Sequence, residues 1–251
     1  MNMIFFLVLV AVATFCQNLT GFAFGLIFVG IAGASSLLSI ADAANIASLL
    51  SLVQAVGFMR ANRLKPDWGL LGPLLASSAV GLVAGVLLLQ WLSGNMLSML
   101  RILLGVSIVV CAILLLLQKQ VQPEMSGKPA QWTAGVASGL LGGLFATPGP
   151  PLVYHLYRQP LDRLVIVHCL ISMGVVCGVL RLGMVAVDGQ ITSTVLLWTV
   201  AAAPVVALVT WWTAKYPLPI PQRAMQIAVC VLLIVSGLSL LVSGWLMSRQ
   251  T

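Results

Sequence analysis

The chain has 251 residues, 61% of them hydrophobic, with only 12 basic and 5 acidic side chains. Its mean hydropathy is +1.11. A soluble domain carries about 25% charged residues, so 7% here is too few to coat a water-facing surface; a soluble enzyme, a disordered chain and a secreted disulfide scaffold are excluded, and a polytopic membrane protein remains.

In chain order, a first hydrophobic run at 3–16 leads into a Gly/Phe-rich continuation at 21–40. Uninterrupted spans are predicted at 43–59, 68–92 and 96–117. The polar stretch KQVQPEMSGKPAQ, residues 119–131, reads as a cytoplasmic linker between a first transmembrane repeat, 1–118, and a second, 132–251. The second repeat has a run at 132–145, a break at ATPGPP, a short run at 152–157, and spans at 161–187, 191–214 and 220–246. Each half thus opens on a Gly-interrupted stretch and continues with three spans. GFMR at 57–60 also aligns with GVLR at 178–181 at an offset of 121, and Asp42 with Asp162 at an offset of 120.

A crossing helix needs about 20 residues, so the runs at 3–16 and 132–145 are short for one. Each interrupted stretch is either one long bent helix or a re-entrant hairpin. The basic residues discriminate. With hairpins the second half is inverted relative to the first. One side then receives Arg60, Arg63, Lys65, Lys119, Lys128, Arg158, Arg163, Lys215 and Arg223, and the other Arg101, Arg181 and Arg249, nine against three. With a single crossing per stretch the split is seven against five. Positive charge collects on the cytoplasmic side, which favours hairpins and places both termini outside the cytoplasm. The first 59 residues hold no Lys or Arg, so a signal peptide with its basic leader is not expected. The net charge of +7 marks cytoplasmic loops rather than a nucleic-acid partner. The expected fold is all-α: two inverted repeats, each a broken or re-entrant helical hairpin plus three transmembrane helices.

Irregular backbone at membrane depth survives only where it is buried in protein or lines a cavity. Two breaks at matching places therefore point to a site between the halves. The first break, QNLTGFAFGL, contributes Gln17, Asn18, Thr20, Gly21, Phe22 and Gly25. The second, within SGLLGGLFATPGPPLVYHLY, contributes Gly142, Gly143, Thr147, Pro148, Gly149 and Pro150. Glycines let backbone approach a ligand, and a half-helix starting near Pro150 aims its positive N-terminal end at the break. The competing reading is that these glycines serve tight helix packing. Neither break contains a carboxylate, which favours an anionic or neutral substrate over a metal cation.

Arg60 and Arg181, repeat partners near segment ends, either snorkel to the interface or draw anions toward the site. His168 is a packing histidine or a ligand, and Asn45 is a weaker candidate at comparable depth. Tyr154 and His155 are placed to line an entrance. Cys16, Cys111, Cys169, Cys177 and Cys230 form no CxxC pair and read as small buried hydrophobes, with a functional role for Cys16 or Cys169 left open. No metal-ligand spacing occurs and no cofactor is expected.

At its two breaks the sequence resembles the sulfite exporter TauE/SafE family of membrane permeases, over about residues 6–246. Gly142, Gly143, Leu144, Phe145, Gly149, Pro150 and Pro151 match the family's glycine-rich run, while Ala146, Thr147 and Pro148 stand where Gly-Ile-Gly is usual. TGFAFGL looks like the family's Thr-Gly-Phe-Gly-Phe-Gly-Leu, with Ala23 replacing a glycine and Gly30 about where a proline is common. The resemblance implies export of sulfite, sulfonates or related small anions across a bacterial inner membrane. The expected partners are that anion and the lipid bilayer, with no nucleic acid and with a homodimer left open. An intramembrane enzyme is disfavoured by the lack of GxSxG, HExxH or paired carboxylates within a span. A channel and a non-transporting assembly subunit remain the rivals.

Overall fold

The computed structural model describes residues 3–35, 37–61, 68–116, 125–147, 149–216 and 222–248. Among them are ten helices and no strand: α1 Met3–Thr20, α2 Phe24–Ala34, α3 Ile40–Ala61, α4 Trp68–Asn95, α5 Leu97–Leu116, α6 Lys128–Phe145, α7 Gly149–Tyr157, α8 Arg163–Val187, α9 Ser193–Lys215 and α10 Gln222–Ser248. α1 runs four residues beyond the expected first run, and α6 starts at Lys128, inside the stretch read as linker. Gly127 sits extended just before it, with a proline in the first turn, a favourable helix start.

Seven of these helices, α1, α3, α4, α5, α8, α9 and α10, are long and apolar enough to cross a membrane. The surface agrees. Ile4, Val80, Val187, Leu197, Val200, Leu208, Val231 and Val235 stand exposed, an arrangement that water would penalise and hydrocarbon tolerates. The protein is an all-helical, multi-pass membrane protein. α6 has the length of a span, but Lys128, Gln131, Thr133 and Ser138 lower its hydropathy; α2 and α7, with 11 and 9 residues, are too short.

Lipid gives no hydrophobic drive between helices, so close backbone approach carries the packing. Gly135, Gly139 and Gly143, spaced by four, form one ridge of α6. They face Ser77, Ser78 and Gly85 on α4, and Gly81 of α4 in turn faces the backbone of Val136 and Leu140. A β-carbon on Gly139 would lie 2.7 Å from the backbone carbonyl carbon of Ser78, and one on Gly143 2.7 Å from the amide nitrogen of Val86. Ser78 Oγ donates across the contact to the Gly135 carbonyl at 3.0 Å. Gly105, Gly237 and Gly244 bring α5 and α10 together in the same way.

Contacts also fix helix directions. Asn18 bonds Thr213 and Phe6 stacks edge-on with Trp198, so α1 runs parallel to α9. Ser77 meets Gly135 and Val86 meets Gly143, so α4 runs parallel to α6. Arg181 reaches Ala44, Asn45 and Ser48 while Gly178 faces Leu52, so α3 and α8 are antiparallel. Cys230 meets Ala112 and Gly244 meets Ser98, so α5 and α10 are antiparallel too. Phe6, Phe24 and Phe28 fill the core behind the first break, with ring centroids 5.6–5.8 Å apart.

Candidate functional site

α1 ends at Thr20, and Gly21 turns the chain at φ +88°, a left-handed angle that glycine adopts without a Cβ clash. The turn satisfies its own polar groups. The Gly21 amide donates to the Gln17 carbonyl at 2.6 Å, Thr20 Oγ1 to the Cys16 carbonyl at 2.7 Å, and the Phe24 amide to Gln17 Oε1 at 2.9 Å. Gln17 therefore caps α2.

The second break is tighter. α6 closes on Ala146, left-handed at φ 58°, with its amide bonded to the Gly142 carbonyl at 2.9 Å. α7 begins at Gly149. A helix start leaves its first four amides without intrahelical partners. Three of the four residues there, numbered 148–151, are prolines, so Gly149 alone retains an amide proton to offer. Thr147 Oγ1 is buried and has no hydrogen-bond partner.

The two breaks pack against each other. A β-carbon on Gly25 would run into Thr147 Oγ1 and come within 3.0 Å of the Phe145 carbonyl oxygen; one on Gly149 would sit 2.6 Å from Phe22 Cβ. Each break thus receives a side chain of the other at a glycine.

Arg181 of α8 completes the enclosure. It is 1% exposed. Its Nε donates to the Gly143 carbonyl at 3.0 Å, and its Nη1 faces the Ala44 carbonyl at 3.2 Å, Asn45 Oδ1 at 3.0 Å and Ser48 Oγ at 2.9 Å. None of these acceptors is a carboxylate, and Nη2 is buried with no partner. Hydrogen bonds to a charged group contribute about 1.5–3 kcal/mol each; they offset part of the cost of burying the cation but leave its charge unneutralised.

These groups surround a cavity of about 50 Å³, lined by Gln17, Gly21, Phe22, Ser48, Ser51, Gly142, Ala146, Thr147, Gly149, Leu152, Leu170, Gly174, Cys177, Gly178 and Arg181. No Asp or Glu is among them. Chemically the lining offers a fixed guanidinium edge, a hydroxyl and one amide, with no competing carboxylate.

A family model described as Sulfite exporter TauE/SafE matches residues 5–240. The chain belongs to that family. It is also 30% identical over 246 residues to the probable sulfite/organosulfonate exporter TauE of Cupriavidus necator, an alignment covering 95% of this chain and 94% of that one. No solved structure matches it significantly.

In this TauE/SafE member, Gln17, Gly21, Phe22, Gly142, Thr147, Gly149 and Arg181 meet at one cavity. Asn18 lines a second, adjoining cavity. Gly25 lies against Thr147. Thr20 is buried with its hydroxyl turned back onto its own helix. Gly143 faces α4 and presents only its carbonyl to Arg181. His168 is partly exposed on α8 and lines neither cavity. Pro148 lies outside the described residues, as do the side chains of Arg60 and Pro150. Arg181 is no snorkelling residue: it points inward, between α3 and α6. Tyr154 and His155 line a separate cavity of about 370 Å³ with Arg158, at the far end of α7.

The sequence reading missed Ser48, Ser51 and Gln54 on α3. Asn45, Ser48, Ser51 and Gln54 recur every three residues in an otherwise apolar span, a polar stripe that marks a protein-facing side of a membrane helix.

Proposed function

We propose that this protein is a secondary transporter that exports a small anion, sulfite or an organosulfonate, across the bacterial inner membrane by alternating access. The observation that carries the reading is Arg181. A guanidinium inside a membrane protein, held by four neutral acceptors and lacking any carboxylate among its partners, is a standing cost unless something negative joins it. The unpartnered Nη2 and the unpartnered Thr147 hydroxyl both belong to the lining of one cavity. An oxyanion there accepts from both, and from the Gly149 amide. The name of the Cupriavidus necator relative supports sulfur oxyanions as the class.

Residues 1–118 and 132–251 act as two inverted repeats joined by the cytoplasmic linker at 119–131. The antiparallel α3/α8 and α5/α10 pairs and the nine-to-three division of basic residues support this orientation, with both termini periplasmic. The anion sits where the two hairpins touch, so a rocking of one repeat against the other opens the cavity to one side and then to the other. Arg60, at the cytoplasmic end of α3, adds attraction for anions entering from that side.

Counterflow of labelled sulfite in proteoliposomes tests the reading. Saturable, counterflow-competent uptake is expected, with Arg181→Gln lowering it about a hundredfold, the loss of a charge-assisted contact worth roughly 3 kcal/mol. Unchanged counterflow in that variant removes Arg181 from the site. For orientation, a reporter fused after Gln120 is expected in the cytoplasm and one after Thr251 in the periplasm; the reverse pattern contradicts the hairpin topology.

A further inference from the structure

Beside the Arg181 cavity lies a second cavity of about 50 Å³, and the two share Gln17, Gly21, Ser51, Leu170 and Gly174 as lining. The second adds Asn18, Gln54 and Phe58. A one-way chain of hydrogen bonds runs along its wall. Thr213 Oγ1 donates to the Val209 carbonyl at 2.9 Å, so its oxygen is left to accept from Asn18 Nδ2 at 2.8 Å. Asn18 Oδ1 then accepts from Gln54 Nε2 at 2.7 Å, and the same nitrogen donates to the Thr14 carbonyl at 3.2 Å. The Thr14 carbonyl can only accept. The amide of Gln54 is therefore fixed with its nitrogen toward α1, because the flipped form would set oxygen against oxygen.

The consequence is an oriented carbonyl. Gln54 is 3% exposed, and its Oε1 is buried without a hydrogen-bond partner. Leaving a buried acceptor empty is costly, and this one belongs to a residue lining the cavity beside the anion pocket. The linings of the two adjoining cavities thus include residues with unpartnered groups of opposite kind: a donor, Arg181 Nη2, in one and an acceptor, Gln54 Oε1, in the other.

Building on the anion reading, we infer that the site is made for a short bifunctional anion: an oxyanion head at Arg181 and Thr147, and a hydrogen-bond donor, hydroxyl or amine, on a short aliphatic tail that reaches Gln54 Oε1. Gln54 is then the residue that reads the tail. The two cavities together are small, which limits the tail to a few atoms, and their shared lining mixes Gln17 and Ser51 with Gly21, Leu170 and Gly174.

The test compares 2-hydroxyethanesulfonate with propane-1-sulfonate, which place a hydroxyl and a methyl at the same position. Both are measured as competitors of sulfite binding to the purified full-length protein in detergent. The wild type is expected to prefer the hydroxyl compound about tenfold, one hydrogen bond to a buried acceptor. Gln54→Leu is expected to bring the ratio to about one. Gln54→Met, which keeps the length of the side chain without the amide acceptor, is expected to do the same. Equal binding of the two compounds by the wild type overturns the inference, and so does a preference that survives in Gln54→Leu. Should sulfite itself fail to bind a folded protein, the anion reading falls and this inference with it. Sulfite bound without discrimination sinks the inference alone.

Discussion

The two breaks occupy matching places and are built differently. At the first, the polar groups have partners: Thr20 bonds Cys16, Gln17 Oε1 the Phe24 amide and Gly21 the Gln17 carbonyl within the turn, while Asn18 bonds Thr213 and Gln54. At the second, Thr147 Oγ1 has no partner, and the nearby Arg181 keeps Nη2 unused. The first break is neutral and satisfied; the second is open beside a cation. A structural turn needs the first arrangement, since unpaired groups in a membrane interior cost several kcal/mol. The second leaves that cost standing unless something joins it. The halves share an order of helices, but the unpartnered Thr147 Oγ1 and Arg181 Nη2 both belong to the second.

This asymmetry can be broken from either side. The largest effect is expected at Gly149, where Phe22 leaves no room for a side chain: Gly149→Leu separates the two breaks and abolishes counterflow while the protein still inserts, as membrane fractionation shows. Full flux in that variant would mean the contact is dispensable. Next come two threonines with effects of opposite sign. Thr147→Val removes an unsatisfied buried hydroxyl, so the ligand-free protein gains about 1 kcal/mol, while sulfite affinity drops about tenfold. Thr20→Val loses a bond within its own helix, so stability falls by about 1 kcal/mol and affinity stays. Thermal unfolding with and without sulfite reads both, and a similar profile for the two variants would erase the distinction between the breaks. The smallest effect is Ala146→Gly. It relieves a left-handed alanine, worth about 1–2 kcal/mol, but adds freedom to the unfolded chain. A net gain of under about 1 kcal/mol in unfolding free energy is expected, with transport unchanged.

Much of this fold was legible in the sequence because hydrocarbon imposes few solutions. Runs of apolar residues and Gly/Pro interruptions placed all ten helices, with ends shifted by a few residues. The breaks themselves were readable, since Gly21 and the ATPGPP segment cannot continue a helix unaided. The depth of Arg181 was not. Its alignment with Arg60 suggested a helix end, yet α3 stops one residue after Arg60 whereas α8 continues six residues past Arg181. Nor does any local pattern announce that α3 runs antiparallel to α8, which is what delivers Asn45 and Ser48 to the guanidinium. The glycines needed a division the sequence only posed as alternatives. Gly135, Gly139 and Gly143 carry the helix contact with α4, while Gly21, Gly142 and Gly149 line the cavity. Spacing by four marks the first set; being inside or beside a break marks the second.

In the proposed mechanism an anion completes the second break. Selenite has the shape and charge of sulfite and scatters anomalously, so a crystal of the protein grown with it reports the site without labelling. An anomalous peak is expected within hydrogen-bond distance, about 3 Å, of both Arg181 Nη2 and Thr147 Oγ1, absent in Arg181→Gln. A peak only in the cavity beside Tyr154 and Arg158, or none at saturating selenite, would contradict it.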